Sequence, residues 1–371
     1  MSKTPKGITV VLAGGGTAGH TSPLIATAER IKDLDPTGRI ICVGTPKGLE
    51  SRVIPAAGLT LEMIPPVPLP RKLTLELLAV PARLAGSVRQ ARRILRDCGA
   101  QVAVGFGGYV SLPVYLAAAT MRIPVVIHEQ NAIPGLANKV AARFASVVAV
   151  SFPATPLPGA SYLGLPVRKG VAGLARSEAR GAAQSLFGLA PDMPTLLVSG
   201  GSQGARSINQ ATEAARDRLL AAGIQVLHVL GPRNFTDHQP VTDPVTGARY
   251  VPVAYVDRME DAYAAADLML GRSGAGTVME TATVGLPMIF VPLPHGNGEQ
   301  ARNADFLIDG GAGVLVADAE LTADRLLSEA LPLLNDAPRL AAMSAATRNL
   351  VPADAAGELA RQVLGVARER V

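Results

Sequence analysis

Two glycine-rich runs, one near the start of each half of the chain, constrain its fold more than any other feature. Gly14-Gly15-Gly16-Thr17-Ala18-Gly19-His20 follows the apolar run Ile8–Ala13, and Gly200-Gly201-Ser202-Gln203-Gly204-Ala205 follows Thr195–Ser199. Each stands where a strand-like segment gives way to a helix-like one. Glycine there lets the backbone turn sharply and approach a ligand, while the unpaired N–H groups of the following helix face an anion. The pattern predicts two Rossmann-like halves with a charged ligand between them.

The rest of the chain agrees with an α/β class. Its 371 residues exceed one ordinary domain, and 48% hydrophobic content is ample for two cores. Tryptophan is absent and aromatics make up 4%, which suits close helix-on-sheet packing better than an aromatic-rich sandwich. Strand-like runs at 8–13, 39–43, 61–64, 101–106, 125–128 and 147–152 alternate with helical segments. A second series follows at 195–199, 225–230, 250–256, 268–270, 288–292 and 313–316. The alternation predicts two doubly wound parallel sheets with ligands beyond the carboxyl ends of the strands. The proline-rich stretch 153–159 reads as a linker, with domains over 1–163 and 164–371. The last helix, about 354–370, has the amphipathic pattern to pack back on the first domain.

Several function classes lose ground. Cys42 and Cys98 have no metal-ligand spacing and fit a reduced compartment. The first glycines come too soon for a signal peptide, and glycines and Pro113 interrupt the uncharged stretch 99–121, so no spanning helix is expected. No pair among the five histidines has ligand spacing, and Asp33-Leu34-Asp35 falls at the wrong edge of the first sheet, so no metal is expected. Residues 14–19 satisfy G-x-G-x-x-G, the fingerprint of an NAD-dependent dehydrogenase, but that reading needs a ribose-binding acid at the end of the second strand. There Gly44-Thr45-Pro46-Lys47 intervenes, and the first acid is Glu50. Neither glycine turn ends as a phosphate-binding Walker loop does.

His20 falls where a helix begins, whose positive end disfavours an imidazolium. It is either a neutral base or a histidine that only hydrogen-bonds the turn. A third glycine turn, Gly271-Arg272-Ser273-Gly274-Ala275-Gly276-Thr277-Val278-Met279-Glu280, also admits two readings. Thr277 and Glu280 fit a capping box, or Glu280 accepts hydrogen bonds from a ribose. Seven basic residues against two acidic ones between Arg71 and Asp97 equal the whole net charge of +5.

These pieces together resemble the MurG family of bacterial glycosyltransferases. The motifs occur in the family's order over nearly the whole chain: GGGTAGH at 14–20, GFGGYVS at 105–111, HEQNAIPGLANK at 128–139, GLPVR at 164–168, GGSQGA at 200–205, GRSGAGTVME at 271–280, and Gln300 with Asn303 and Ala304. The resemblance implies the GT-B fold, two Rossmann-like domains facing a cleft. It also implies transfer of N-acetylglucosamine from UDP-N-acetylglucosamine to the muramoyl 4-hydroxyl of lipid I, with inversion, no metal and no cofactor. By motif, Thr17, Ala18 and Gly19 would border the donor sugar and diphosphate. Asn131 would touch the sugar, and Arg168 and Ser202 would hold the diphosphate. Val256 would contact the uracil, Ala275, Gly276, Thr277, Val278 and Met279 would line the nucleotide, Glu280 would take the ribose, and Gln300 the sugar hydroxyls. Gly107, Gly108 and Tyr109 would meet the acceptor. His20 is the candidate base and Glu129 the second choice. Ala18 stands where some members have glycine, and Glu299 precedes Gln300 where some have a second glutamine.

An acceptor with a polyprenyl chain implies an anionic membrane surface as partner, a peripheral place on its cytoplasmic face, contacts with other cell-wall synthesis proteins, and no nucleic acid. Membrane contact is expected at Pro68–Val80, assisted by the arginines that follow. A 2-epimerase of the same fold and a non-catalytic nucleotide-sugar module remain as alternatives.

Overall fold

The computed structural model describes residues 7–67, 76–295 and 297–369. The chain divides into two compact units, one of residues 1–168 with 354–371 and one of residues 169–353. The division after 163 expected from sequence thus falls after Arg168, and the last helix belongs to the first unit.

The first unit runs β1 (Thr9–Ala13), α1 (Ala18–Leu34), β2 (Arg39–Gly44), α2 (Glu50–Ala56), β3 (Thr60–Met63), α3 (Glu76–Cys98), β4 (Val102–Gly105), α4 (Gly108–Thr120), β5 (Val125–Glu129), α5 (Leu136–Ala141), β6 (Val147–Val150) and β7 (Ala160–Tyr162). The second runs α6 (Lys169–Ala172), α7 (Arg176–Leu186), β8 (Thr195–Ser199), α8 (Arg206–Ala221), β9 (Gln225–Val229), β10 (Val241–Thr242), β11 (Arg249–Val253), α9 (Met259–Ala265), β12 (Leu268–Gly271), α10 (Ala275–Val284), β13 (Met288–Phe290), α11 (Glu299–Asp309), β14 (Gly313–Leu315), α12 (Ala323–Leu334) and α13 (Ala337–Leu350). α14 (Ala355–Arg368) then returns to the first.

The first sheet has the order β3-β2-β1-β4-β5-β6-β7, and every pairing in it is parallel. The second has the order β10-β11-β9-β8-β12-β13-β14 and is parallel except at β10. Strands β4, β5, β8, β9 and β12 are buried along their whole length. Helices on both faces of a parallel sheet require this, and it is why these strands read as unbroken apolar runs. In each sheet the chain moves outward in both directions from one strand, β1 in the first and β8 in the second. The switch points therefore lie at β1/β4 and β8/β12.

The proline-rich stretch 153–159 is not a linker. It turns the chain from β6 into β7 within the first unit, where Leu157 is buried and the Thr155 hydroxyl donates to the Asn131 carbonyl. α14 packs on α1, and its Leu359, Val363 and Leu364 share a core with Val10, Leu12, Leu24 and Ile31. An Arg30–Asp354 ion pair at 3.2 Å spans the same contact, but both side chains are more than a third exposed. Such a pair contributes about 0–1 kcal/mol. Each buried Leu or Val contributes roughly 1.5–3 kcal/mol, so the apolar face holds the helix.

Each sheet buries one histidine in its neutral form. Burial pushes His128 down to about 4, although the Gly164 carbonyl it bonds opposes the shift. Burial pushes His228 down to about 3, against Tyr250 Oη and Asn209 Oδ1. Both folded-state values lie below the unfolded value of 6.5, so the stability these groups contribute is present above pH 6.5 and drains as pH falls toward the folded values. Taking a unit from pH 7 to pH 5 is expected to cost about 2 kcal/mol per histidine. Urea unfolding at the two pH values measures this, and equal midpoints would contradict it.

Candidate active site

In the first unit the carboxyl ends of β1, β4 and β5 lie side by side, bringing three of the sequence motifs together. His20 is in the first turn of α1, half-buried, with Nδ1 3.0 Å from Thr17 Oγ1. Burial is the largest influence on the ring and lowers its pKa. The Gly15 carbonyl and the negative charge of Glu50 oppose this without cancelling it, so the ring stays neutral near pH 7. Thr17, Ala18 and Gly19 are exposed. Gly107 and Gly108 have φ of 85° and 78°, and a Cβ on Gly107 would stand 3.4 Å from both His20 Nε2 and Asn138 Nδ2. A Cβ on Gly108 would meet the Gly15 carbonyl oxygen at 2.8 Å. Gly108 therefore makes room for the histidine loop, and Gly107 is required by its positive φ. Tyr109, next in that turn, is 49% exposed.

Glu129 has a different place from the one a proton-exchanging group requires. It is 2% exposed, and both of its oxygens are occupied. Oε1 accepts from Asn131 N at 2.9 Å, and Oε2 accepts from Gly135 N at 3.0 Å and Asn138 Nδ2 at 2.9 Å. Burial pushes its carboxyl up despite these donors. The carboxylate organises the loop that carries Asn131. Asn138 is a residue that sequence reasoning missed. Its amide also donates to the His128 carbonyl at 3.2 Å, and its oxygen accepts from Tyr115 Oη at 2.7 Å. Arg168 is half-buried, and its buried Nε has no hydrogen-bond partner.

In the second unit the glycine turn 200–205 and the turn 272–274 stand at neighbouring strands β8 and β12 and lead into α8 and α10. Ser202 is exposed. α10 is capped by Gly274 with no side-chain cap bond, so Thr277 and Glu280 lie inside the helix and the capping-box reading falls. Glu280 Oε2 instead accepts from the Tyr263 hydroxyl at 2.7 Å. Gly276, Thr277 and Glu280 are partly exposed, Ala275 is largely buried, and Val278 and Met279 are core residues. Val256 is 8% exposed, whereas its neighbour Tyr255 is 54% exposed.

Gln300, in the first turn of α11, accepts from Leu293 N at 3.0 Å and so closes the loop leading to its own helix. Asn303 ties that helix to the Ser273 carbonyl at 3.2 Å. Arg272 fastens the whole group. Its guanidinium donates to the Val291 and Pro292 carbonyls at 3.2 and 3.1 Å, to Ser207 Oγ at 3.1 Å and to Asp318 at 2.5 Å. Burial raises the Asp318 carboxyl, but the bonds from Ser207 and Arg272 outweigh it and hold the pKa below the ordinary value. Ser207, Tyr263 and Asp318 had no local signal in the sequence.

Two parallel-sheet units, each with paired helix-opening glycine turns at its switch point, are the two Rossmann-like domains of the GT-B fold. Residues 10–150 match the glycosyltransferase family 28 N-terminal domain and residues 195–359 its C-terminal domain. The chain is 60% identical over 366 residues, 97% of its length and 98% of the relative's, to the UDP-N-acetylglucosamine–N-acetylmuramyl-(pentapeptide) pyrophosphoryl-undecaprenol N-acetylglucosamine transferase of Cutibacterium acnes. It is 56% identical to the transferase of the same name from a Nocardioides species, over 96% of this chain and 97% of that one. The crystal structure of Acinetobacter baumannii MurG superposes with a TM-score of 0.77 at 27% identity, covering 96% of this chain and 99% of that one. The chain belongs to glycosyltransferase family 28, in its MurG group, and is a hexosyltransferase.

With the capping role gone, Glu280→Ala is expected to leave thermal stability nearly unchanged while raising the donor KM by about tenfold or more, the scale of a lost charged hydrogen bond. Tyr263→Phe, which removes one donor from that carboxylate, should move KM in the same direction by less. Donor titration of initial rates, with a melting curve for each variant, checks both. A fall in melting temperature with no change in KM would contradict the ribose role.

Proposed function

We propose that this enzyme transfers N-acetylglucosamine from UDP-N-acetylglucosamine to the muramoyl 4-hydroxyl of lipid I, with inversion and without a metal, forming lipid II in peptidoglycan synthesis. The observation that carries the choice of substrates is the 60% identity, over nearly the whole chain, to a transferase whose name states both. His20 supplies the chemistry. The acceptor oxygen bonds to the anomeric carbon, its proton passes to His20 Nε2, and the bond from that carbon to the β-phosphate oxygen breaks with its electron pair leaving on UDP. Thr17, on Nδ1, orients the ring. Thr17, Ala18, Gly19 and Asn131 border the donor sugar, and Gly107, Gly108 and Tyr109 the acceptor. The leaving diphosphate is met by Ser202, by Arg168 with its unpartnered Nε, and by the N–H groups that open α8 and α10. Gly276, Thr277 and Glu280 take the nucleoside, with Val256 contributing backbone to the uracil and Gln300 its amide to the sugar.

Radiolabel transfer from UDP-N-acetylglucosamine to a short-chain lipid I analogue, with and without EDTA, tests the reading. Transfer should persist in EDTA, and a product formed without acceptor would point to an epimerase instead. His20→Ala should lower kcat by about a hundredfold or more while changing donor binding little, since a base acts in the transition state. The acid limb of kcat/KM should lie below pH 6.5, because burial lowers the histidine and activity is lost only when the ring takes a proton. Near-native turnover in the alanine variant would remove His20 from this role.

The same reading puts the enzyme on the cytoplasmic face of the membrane. Among the described residues no helix is long and apolar enough to cross a bilayer. Residues 68–75 of the expected contact lie outside the described residues, and nothing is described of side chains 76–78. On α3, Ala91, Ile94 and Leu95 join the core, while Arg83, Arg89, Arg93 and Arg96 are exposed. Leu77→Ser and Leu78→Ser combined with Arg71→Glu and Lys72→Glu should abolish sedimentation with anionic liposomes and leave UDP binding intact. Unchanged sedimentation would move the contact elsewhere.

A further inference from the structure

Glu50 stands near where a dehydrogenase would hold a ribose, yet it is fully buried and turned beneath the first glycine turn. Its Oε2 accepts from Gly16 N at 2.8 Å, and its Oε1 accepts from Thr45 N at 2.9 Å and Thr45 Oγ1 at 2.7 Å. Three glycines leave the space it fills. A Cβ on Gly15 would come within 2.5 Å of the carboxyl carbon, one on Gly44 within 2.5 Å of Cγ, and one on Gly48 within 2.0 Å of Oε2. Desolvation works against the charge, but the donated hydrogen bonds outweigh it and keep the carboxyl below its ordinary pKa. An ionised group is thus held under a turn that opens toward an anion-handling site, at a cost the fold tolerates only with all these donors present.

We infer that Glu50 is a positioning residue for the transfer reaction, fixing the turn at Gly16 and through it the placement of His20. The connection is short. Gly16 carries a φ of 89°, Thr17 follows it and caps α1, and the Thr17 hydroxyl meets His20 Nδ1. With its N–H committed to Glu50, Gly16 cannot rotate without breaking that bond, and the turn delivers His20 in one orientation. The negative charge also favours protonation of the ring, opposing burial.

The inference rests on His20 as base, and a double-mutant cycle separates the two claims. Glu50→Gln keeps the side chain's size but presents an NH2 to one of the amides that now donate to a carboxylate. It is expected to lower kcat by about tenfold or more in the native background and by less than about threefold in the His20→Ala background, because residues acting through one group are not additive. An equal loss in both backgrounds, or no loss in the first, would overturn the positioning role while leaving His20 as base. Near-native turnover of His20→Ala alone would remove the base assignment, and the inference with it. Gly48→Ala retains the acid but displaces its carboxylate from a partly exposed loop, and should reproduce both results. If Glu50→Gln does not fold, the Gly48→Ala cycle decides, and native turnover in that variant overturns the inference.

Discussion

A parallel sheet whose crossovers run outward on both sides of one strand leaves a notch at that strand's carboxyl end, because its neighbouring loops turn away from each other. In this chain the notches lie at β1/β4 and at β8/β12. Every glycine-rich turn singled out in the sequence belongs to one of them, two to each unit. The backbone must bend sharply at these places and stay narrow enough for another loop to lie alongside. Gly108 makes the point, since a side chain there would run into the Gly15 carbonyl oxygen, while Gly107 beside it lies against His20. What looks in sequence like two separate motifs, at 14–20 and at 105–111, is one packed arrangement.

The central strands were legible because burial on both faces turns them into uninterrupted apolar runs, and the limits of β4, β5, β8, β9 and β12 lie within one residue of the expected ones. β7 and β10 were not, being three and two residues long and partly exposed. The prolines at 153–159 suggested a linker, but a turn inside a unit has the same composition as a connection between units. His20 and Glu280 were readable because they sit beside glycine turns. Tyr263 and Asp318 were not, since the partners they meet lie 17 residues away for the first and 46 and 111 for the second. That Val278 and Met279 are buried was not legible in their motif for a simple reason. A motif is contiguous along the chain, whereas one face of a helix takes only every third or fourth residue.

The first unit contains two buried carboxylates whose partners are mostly backbone amides, and their pKa values shift in opposite directions. At Glu129 burial prevails, and its pKa rises despite its donors. That of Glu50 falls because its donors prevail. Both are fully engaged in shaping loops. In the proposed mechanism the arrangement separates the work of holding the turns from the work of moving a proton, which is assigned to a half-buried imidazole at their edge.

The return of α14 to the first unit has a consequence for how the chain is made. Leu359, Val363 and Leu364 complete a core begun by β1 and α1, yet they are synthesised only after the whole of the second unit. The apolar flank of α1 therefore stays uncovered while residues 169–353 are being added. The first part to be made is then the last to be finished, and the second unit can close within its own continuous stretch of chain before the first has its final helix. Until residues 355–368 dock, the nascent protein presents an apolar surface of the kind that chaperones recognise and that promotes aggregation.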